Sequence, residues 1–286
     1  KESSAASDVY KRQEYVLEER MAKNTKNVMN FLEGLVEKVK PVARKEFKEL
    51  ENYAKSIDNI DNLEKWDISF YTEMYKKHKY NVDQEQLKPY FSLNNVLNGA
   101  FEISNKLYGL SFKKISNIDT YNDEVNTYEV KDGKNNFIAL LYTDFHPREG
   151  KRGGAWMTSY KPQYIFKNNN QRPHISIVCN FTRSLKNKPS LLTFNEVTTL
   201  FHEFGHALHG ILANTKFKSL SGTNVSWDFV ELPSQIFENW CYEEEALNIF
   251  AFHHKTKKLI PIELINKIKE SACLLYTSDA ADDSLR

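Results

Sequence analysis

The feature that most limits what this chain can become is one helix-sized segment, Thr193 to Leu212. Thr193-Phe-Asn-Glu196 has the form of a capping box, in which the threonine hydroxyl accepts from the third backbone N–H and the glutamate reaches back to the cap. A helix is predicted to start there. Val197, Leu200, Phe201, Phe204, Leu208 and Ile211 lay a wide apolar face along it, so it should be a buried central helix running to about Leu212. Inside it sit His202, Glu203 and His206. Helix positions four apart are separated by about 40° and about 6 Å, so two imidazoles at that spacing converge on one ion about 2 Å from each nitrogen. Glu203 is rotated off that line, yet can reach a water held by the ion, which is where a general base is needed.

Two other readings compete. Histidines on an apolar helix can be core residues satisfied by backbone carbonyls, and a random chain of this length contains HExxH roughly once in a hundred. Against this, burying two histidines and a glutamate among phenylalanines costs several kcal/mol unless a divalent metal compensates all three. A structural zinc site is the other competitor; it would need a fourth protein ligand, and nothing obvious supplies one.

The third ligand must come from elsewhere. In the class that uses a third histidine the motif continues to HExxHxxGxxH, but here the glycine position is His209 and the last is Leu212, which excludes that class. The remaining common solution is a glutamate from a following helix. Asp228-Phe-Val-Glu231 looks like a second capping box leading toward Ile236, Phe237 and Trp240, and it places Glu231 in a first helical turn. Glu238 and the run Glu243 to Glu245 are rivals, the run being most simply a solvated face. His209, one turn beyond His206, is a candidate to support a ligand from behind, with packing or solvent contact as its plainer role; Asp228 is a candidate of the same kind. His78, His146, His174, His253 and His254 have no ligand-like spacing and are assigned nothing.

Elsewhere the pattern is mostly helical. Val28, Phe31, Leu32, Leu35, Val36 and Val39 recur at helical spacing, and Pro41 is expected to divide that helix from a second carrying Val42, Phe47 and Leu50, as in a helical hairpin. Residues 61 to 110 read as further helix with loops, with Val96, Leu97, Ala100, Phe101 and Leu107 as a stripe. Thr127 to Val130 and Phe137 to Thr143 then read as a β-hairpin around Asp132-Gly133, with a third strand at His174 to Phe181. Between them, Pro147-Arg-Glu-Gly-Lys-Arg-Gly-Gly-Ala-Trp156 is a loop whose glycines permit close backbone approach, or else an ordinary basic surface turn. No repeat, low-complexity linker or internal domain boundary is evident.

Composition bounds the partners. Lys plus Arg (39) nearly cancels Asp plus Glu (38), which gives no reason to expect nucleic acid or an anionic membrane. No apolar run approaches the roughly 20 residues of a bilayer span, and no signal peptide is visible. Cys179, Cys241 and Cys273 lack CxxC spacing, which argues against a disulfide framework or a cysteine zinc site and for a reducing, cytoplasmic compartment.

The two ends are expected to be foreign. Asp8 to Gln13 can be encoded by GATGTGTATAAGAGACAG, whose reverse complement, read one base along, encodes residues 273 to 278, Cys-Leu-Leu-Tyr-Thr-Ser; Ser3 to Ser7 relates in the same way to residues 279 to 282. The pair resembles the translated adapter of a transposon-based sequencing library. The expectation is therefore adapter at 1–13 and 273–286, with 14–272 an internal fragment of a longer protein.

Residues 199 to 240, from Thr-Leu-Phe-His-Glu-Phe-Gly-His-Ala-Leu-His through Ser221-Gly-Thr and Asp228-Phe-Val-Glu-Leu-Pro-Ser-Gln to Glu238-Asn-Trp240, closely resemble the thimet oligopeptidase family (M3) of zinc peptidases. Phe145 to Trp156 and Val178-Cys-Asn-Phe181 resemble it too, which turns the reading of that loop away from a plain surface turn; Trp66-Asp67 and Lys106-Leu-Tyr-Gly109 do so weakly. The nearest branch by this likeness is the peptidyl-dipeptidase Dcp, which removes C-terminal dipeptides, with oligopeptidase A close behind. The resemblance implies a mainly α, zincin-like catalytic core with a small β-sheet beside the active site, set in a two-lobed body with a deep channel. It implies one zinc ion per chain on His202, His206 and Glu231, with Glu203 as catalytic base. Short unstructured peptides would be the substrates of a monomer. Family members continue past residue 272 into a tyrosine- and histidine-bearing loop that assists the oxyanion. Without that donor, typically worth about 3 to 4 kcal/mol, the metal site is expected to form without full catalysis. The rival outside enzymes is a non-catalytic zinc-binding fragment or helical scaffold.

Overall fold

The computed structural model describes residues 9–80, 84–185 and 188–272, so Cys273 to Asp282 and Ser3 to Ser7 of the expected adapter lie outside the described residues. The chain divides into two compact units, one comprising the residues up to 83 together with those from 262 onward, the other Gln84–Pro261.

The first unit is helical, beginning with α1 (Val9–Leu17), α2 (Thr25–Asp58) and α3 (Lys65–Tyr80). The Asn24 side chain caps α2 by accepting from the Asn27 amide, and Asn59 closes it in the left-handed conformation at φ 55°. Pro41 does not divide this helix as expected; it lies inside α2. Proline deletes one hydrogen bond, and here the ladder resumes on both sides of that single loss. Leu50 and Ala54 bury against Tyr71 of α3, whereas Phe31, Leu32, Leu35, Val36 and Val42 of the predicted stripe are exposed.

The second unit opens with α4 (Gln84–Leu87) and α5 (Leu93–Tyr108), whose Val96, Leu97 and Ala100 are buried while Leu107 is exposed. Seven strands follow: β1 (Ser111–Ile115), β2 (Asn126–Lys131), β3 (Phe137–Asp144), β4 (Trp156–Lys161), β5 (Tyr164–Phe166), β6 (Asn169–Gln171) and β7 (His174–Val178). Five form a sheet in the order β1-β2-β3-β7-β4, with β3 and β7 parallel and the other pairs antiparallel. The predicted hairpin is β2 with β3, but its turn differs from the expectation. Asn135, not Gly133, takes the positive φ (65°), and the Asp132 carboxylate accepts from the amides of Lys134 and Asn136, so an aspartate-capped five-residue loop replaces a tight turn. The chain continues through α6 (Phe194–Ile211), α7 (Leu232–Glu238) and α8 (Glu244–Phe250), and α9 (Ile262–Ala272) belongs to the first unit.

α6 is the central helix that its apolar face predicts. Val197, Leu200, Phe201, Phe204 and Ile211 are fully buried, and its neighbours include β7 and β4 of the sheet. The capping box forms in both directions, Glu196 N to Thr193 Oγ1 at 3.2 Å and Thr193 N to Glu196 Oε2 at 2.8 Å. At the other end Arg172 donates to the carbonyls of Ile211 (2.7 Å), Ala213 (3.2 Å) and Ile138 (2.6 Å), satisfying helix-end acceptors and tying α6 to β3.

The glycine-bearing loop after β3 is clamped rather than free. Asp144, 2% exposed, accepts two hydrogen bonds from Arg148 (2.7 and 2.9 Å), one from Lys151 (2.9 Å) and one from Tyr121 (2.9 Å). Lys151 also donates to the carbonyls of Asp144, His146 and Cys179, and Asn180 holds those of Arg152 and Gly154. Burial would raise the Asp144 carboxyl, but Arg148, Lys151 and Tyr121 outweigh it and hold it at about 2.

Candidate metal centre

Two helices build the site. α6 supplies His202, Glu203 and His206; the residue just before α7 supplies Glu231. Glu231 is the N-cap residue and not, as expected, part of the first turn. The helix starts after it because Pro233, with no N–H to offer, suits its opening positions. The Glu231 carbonyl accepts from the Gln235 amide at 2.9 Å.

Gly205 lets α7 approach. A Cβ there would lie 2.6 Å from Ser234 Cα and 2.8 Å from the Pro233 carbonyl oxygen, distances that only the missing side chain permits. Ser234, fully buried, donates from Oγ toward the Glu231 carbonyl (2.8 Å) and carboxylate (2.9 Å), which turns that side chain back over α6. Glu231 Oε2 then lies 3.2 Å from His202 Nε2 and 3.0 Å from His206 Nε2. One ligand atom from each of the three residues lies within 4.8 Å of the others.

This donor set fits a divalent metal. Ligands held tetrahedrally about 2 Å from an ion stand about 3.3 Å apart, close to these separations, and two neutral imidazoles with one carboxylate form a recurrent zinc triad. Three protein donors leave a coordination position for water or substrate.

Glu203 sits beside them, 7% exposed, with Oε2 buried and lacking a hydrogen-bond partner. Burial pushes its carboxyl up to about 7; the charge of His202 and a hydrogen bond from the Met157 amide of β4 pull down, while Glu231 and Glu238 push up. Burial also lowers His206. For His202 burial acts downward as well, but the hydrogen bond and charge of Glu238 raise it.

Glu238, considered as a rival ligand, bonds the other ring nitrogen instead, with Oε1 2.6 Å from His202 Nδ1. His209 forms no hydrogen bond to a ligand; its Nδ1 is buried and unpartnered, its ring stands 6.4 Å from that of Phe229, and it lines an apolar groove with Leu208, Leu212 and Ile236. Asp228 lies exposed in the turn before Glu231. Spacing alone did not reveal Ser234, Gly205 or Met157. β4 pairs only with β7 among the described residues, its Met157 amide reaches Glu203, and Met157 lines a small cleft with Ser159, Gly210, Ser221 and Gly222.

Comparison with known proteins identifies relatives of the chain. The model of a family described as Peptidase family M3 matches residues 5–279. The chain is 41% identical over 251 residues to oligopeptidase A of Escherichia coli, covering 87% of this chain and 37% of that protein. It is 36% identical over 255 residues to dipeptidyl carboxypeptidase of Escherichia coli, covering 89% and 37%, and 35% identical over 269 residues to saccharolysin of Saccharomyces cerevisiae, covering 89% and 38%. The chain thus spans well under half the length of each of these relatives, and the oligopeptidase A and dipeptidyl carboxypeptidase likenesses are similar in strength.

Proposed function

The chain belongs to peptidase family M3, and from that premise we propose that it is the zinc-binding catalytic core of a metallopeptidase that hydrolyses short peptides. The observation that carries this reading is the convergence of His202 Nε2, His206 Nε2 and Glu231 Oε2 beside the buried, unpartnered Oε2 of Glu203.

His202, His206 and Glu231 are the ligands in this reading. Zinc bound there supplies a Lewis acid that polarises a peptide carbonyl and brings the pKa of water to about 7. Glu203 takes a proton from the attacking water and delivers it to the leaving nitrogen. Burial, which raises the Glu203 carboxyl, makes it a better proton acceptor for that transfer than an exposed carboxylate. β4, an edge strand of its sheet, offers backbone groups to an extended peptide, and the family resemblance favours short unstructured chains as substrates.

Release of C-terminal dipeptides is the finer activity we propose, following the likeness around residues 199 to 240. Internal cleavage is the second reading, favoured by the 41% identity to oligopeptidase A. A peptide with an amidated C-terminus separates them: a peptidyl-dipeptidase spares it and an internal peptidase cuts it. No helix among the described residues is long and apolar enough to cross a membrane.

Glu203→Gln tests the mechanism. The variant is expected to retain stoichiometric zinc while peptide cleavage falls at least about a hundredfold, as loss of a general base does. Cleavage at the parental rate would remove Glu203 from the reaction, and a folded parent without zinc would remove the whole reading.

A further inference from the structure

Three features outside the catalytic reading stand out: the hydrogen bond from His202 to Glu238, the apolar groove beside His209, and the exposed apolar face of α2. Nothing in the structure shows what would cover the groove or the helix face. The first leads further.

We propose that Glu238 is a positioning residue that fixes the ring and tautomer of His202 and thereby sets the affinity of the site for its metal, an inference resting on the metallopeptidase reading above. A carboxylate oxygen can only accept, so at 2.6 Å Glu238 Oε1 places the ring proton of His202 on Nδ1. The lone pair is then on Nε2, the atom facing Glu231 Oε2 at 3.2 Å. A single element faces both nitrogens of the ring, because Glu231 caps α7 and Glu238 ends it, seven positions along and on the same side. His206 has no such support: its Nδ1 is buried and has no hydrogen-bond partner. The two histidines of the motif are therefore unequal, one pre-set at Nδ1 by α7 and the other contacted only at Nε2, by Glu231 Oε2 at 3.0 Å. Fixing a ligand in its binding rotamer and tautomer removes an ordering cost from metal capture, and hydrogen-bond partners of ligating histidines typically contribute 10- to 100-fold in affinity.

The test measures metal affinity by competition with a chromophoric chelator, on zinc-free protein whose fold is checked by circular dichroism. Glu238→Leu, of similar size but unable to accept, should weaken zinc binding roughly 10- to 100-fold. Glu238→Gln, which can still accept from Nδ1–H, should recover most of that loss, and this rescue is what a merely structural role would not produce. Should the leucine variant fail to fold, the glutamine variant is compared with Glu238→Ala on the same scale. Parental affinity in the folded leucine or alanine variant overturns the proposal, as does equal weakening in all variants, the glutamine one included. Failure of the underlying reading looks different: the parent would then bind no stoichiometric zinc, or His206→Ala and Glu231→Ala would leave affinity intact.

Discussion

Among single residues, Asp144 anchors the unit that carries the proposed metal site. It is buried with Lys151, whose side chain is 3% exposed, and bonded to the partly exposed, bidentate Arg148, so Asp144→Asn would leave two cations without their counter-charge. Breaking a buried pair in this way typically costs about 3 to 5 kcal/mol, which denaturant titration at neutral pH should register. The pH dependence has a definite sign. The carboxyl is held at about 2, below its ordinary 3.8, so its contribution is complete above the ordinary value and is lost as pH falls toward 2. The stability gap between parent and variant should narrow across that window; a gap unchanged down to pH 2 would contradict the assignment. At this scale the sequence was most legible where the chemistry is periodic. His202, Glu203 and His206 follow from helix geometry, whereas Glu231 was one candidate among several until the family resemblance singled it out. Ser234 bonds Glu231 at the start of its own helix and Glu238 reaches His202 across two helices, and no spacing rule announces a hydrogen bond to the far side of a ring.

The helices and strands show the same division between local and distant causes. The capping box, the apolar face of α6, the β2–β3 hairpin and the core of β7 are written in neighbouring residues and were legible. β1 and β4 were not, because Ser-Phe-Lys-Lys-Ile and Trp-Met-Thr-Ser-Tyr-Lys are edge strands of which little is buried, so neither alternates cleanly between apolar and polar. Pro41 misled because a rule about helix interiors was applied as though it ended helices. Gly205 is the informative case for what elements do to one another. Intrinsic propensity says that Gly205→Ala should stabilise a helix by about 1 kcal/mol. Packing says the opposite, since the new Cβ would meet α7 backbone at 2.6 and 2.8 Å. We expect packing to win: the variant should melt lower, by roughly 1 to 3 kcal/mol of stability, and bind zinc more weakly as Glu231 is pushed away. A variant that melts higher and keeps parental zinc affinity would mean that α7 is not seated on Gly205.

At the scale of the molecule, sequence reasoning saw a single stretch with no boundary, whereas the structure has two compact units, one of them assembled from segments far apart in the chain. That arrangement is hard to read because α9 joins a unit whose other helices end about 180 positions earlier, and long-range closure leaves no local signature. It nonetheless has a measurable consequence. All three proposed metal donors, and Glu203 and Glu238 with them, lie between residues 202 and 238, inside Gln84–Pro261. A metal that binds only the folded form stabilises what holds it by RT ln(1 + [L]/Kd), about 2.7 kcal/mol at a hundredfold excess over Kd. The increment should fall on the elements the donors bridge. Hydrogen exchange followed by mass spectrometry, with zinc and then with a chelator, is expected to show α6 and the segment from Glu231 through α7 slowed by metal, with α2 and α3 exchanging at the same rate in both. Slowing of α2 and α3 to the same degree would mean that metal binding stabilises the chain as one cooperative body. Unchanged exchange in α6 and α7 would mean that their convergence does not hold an ion.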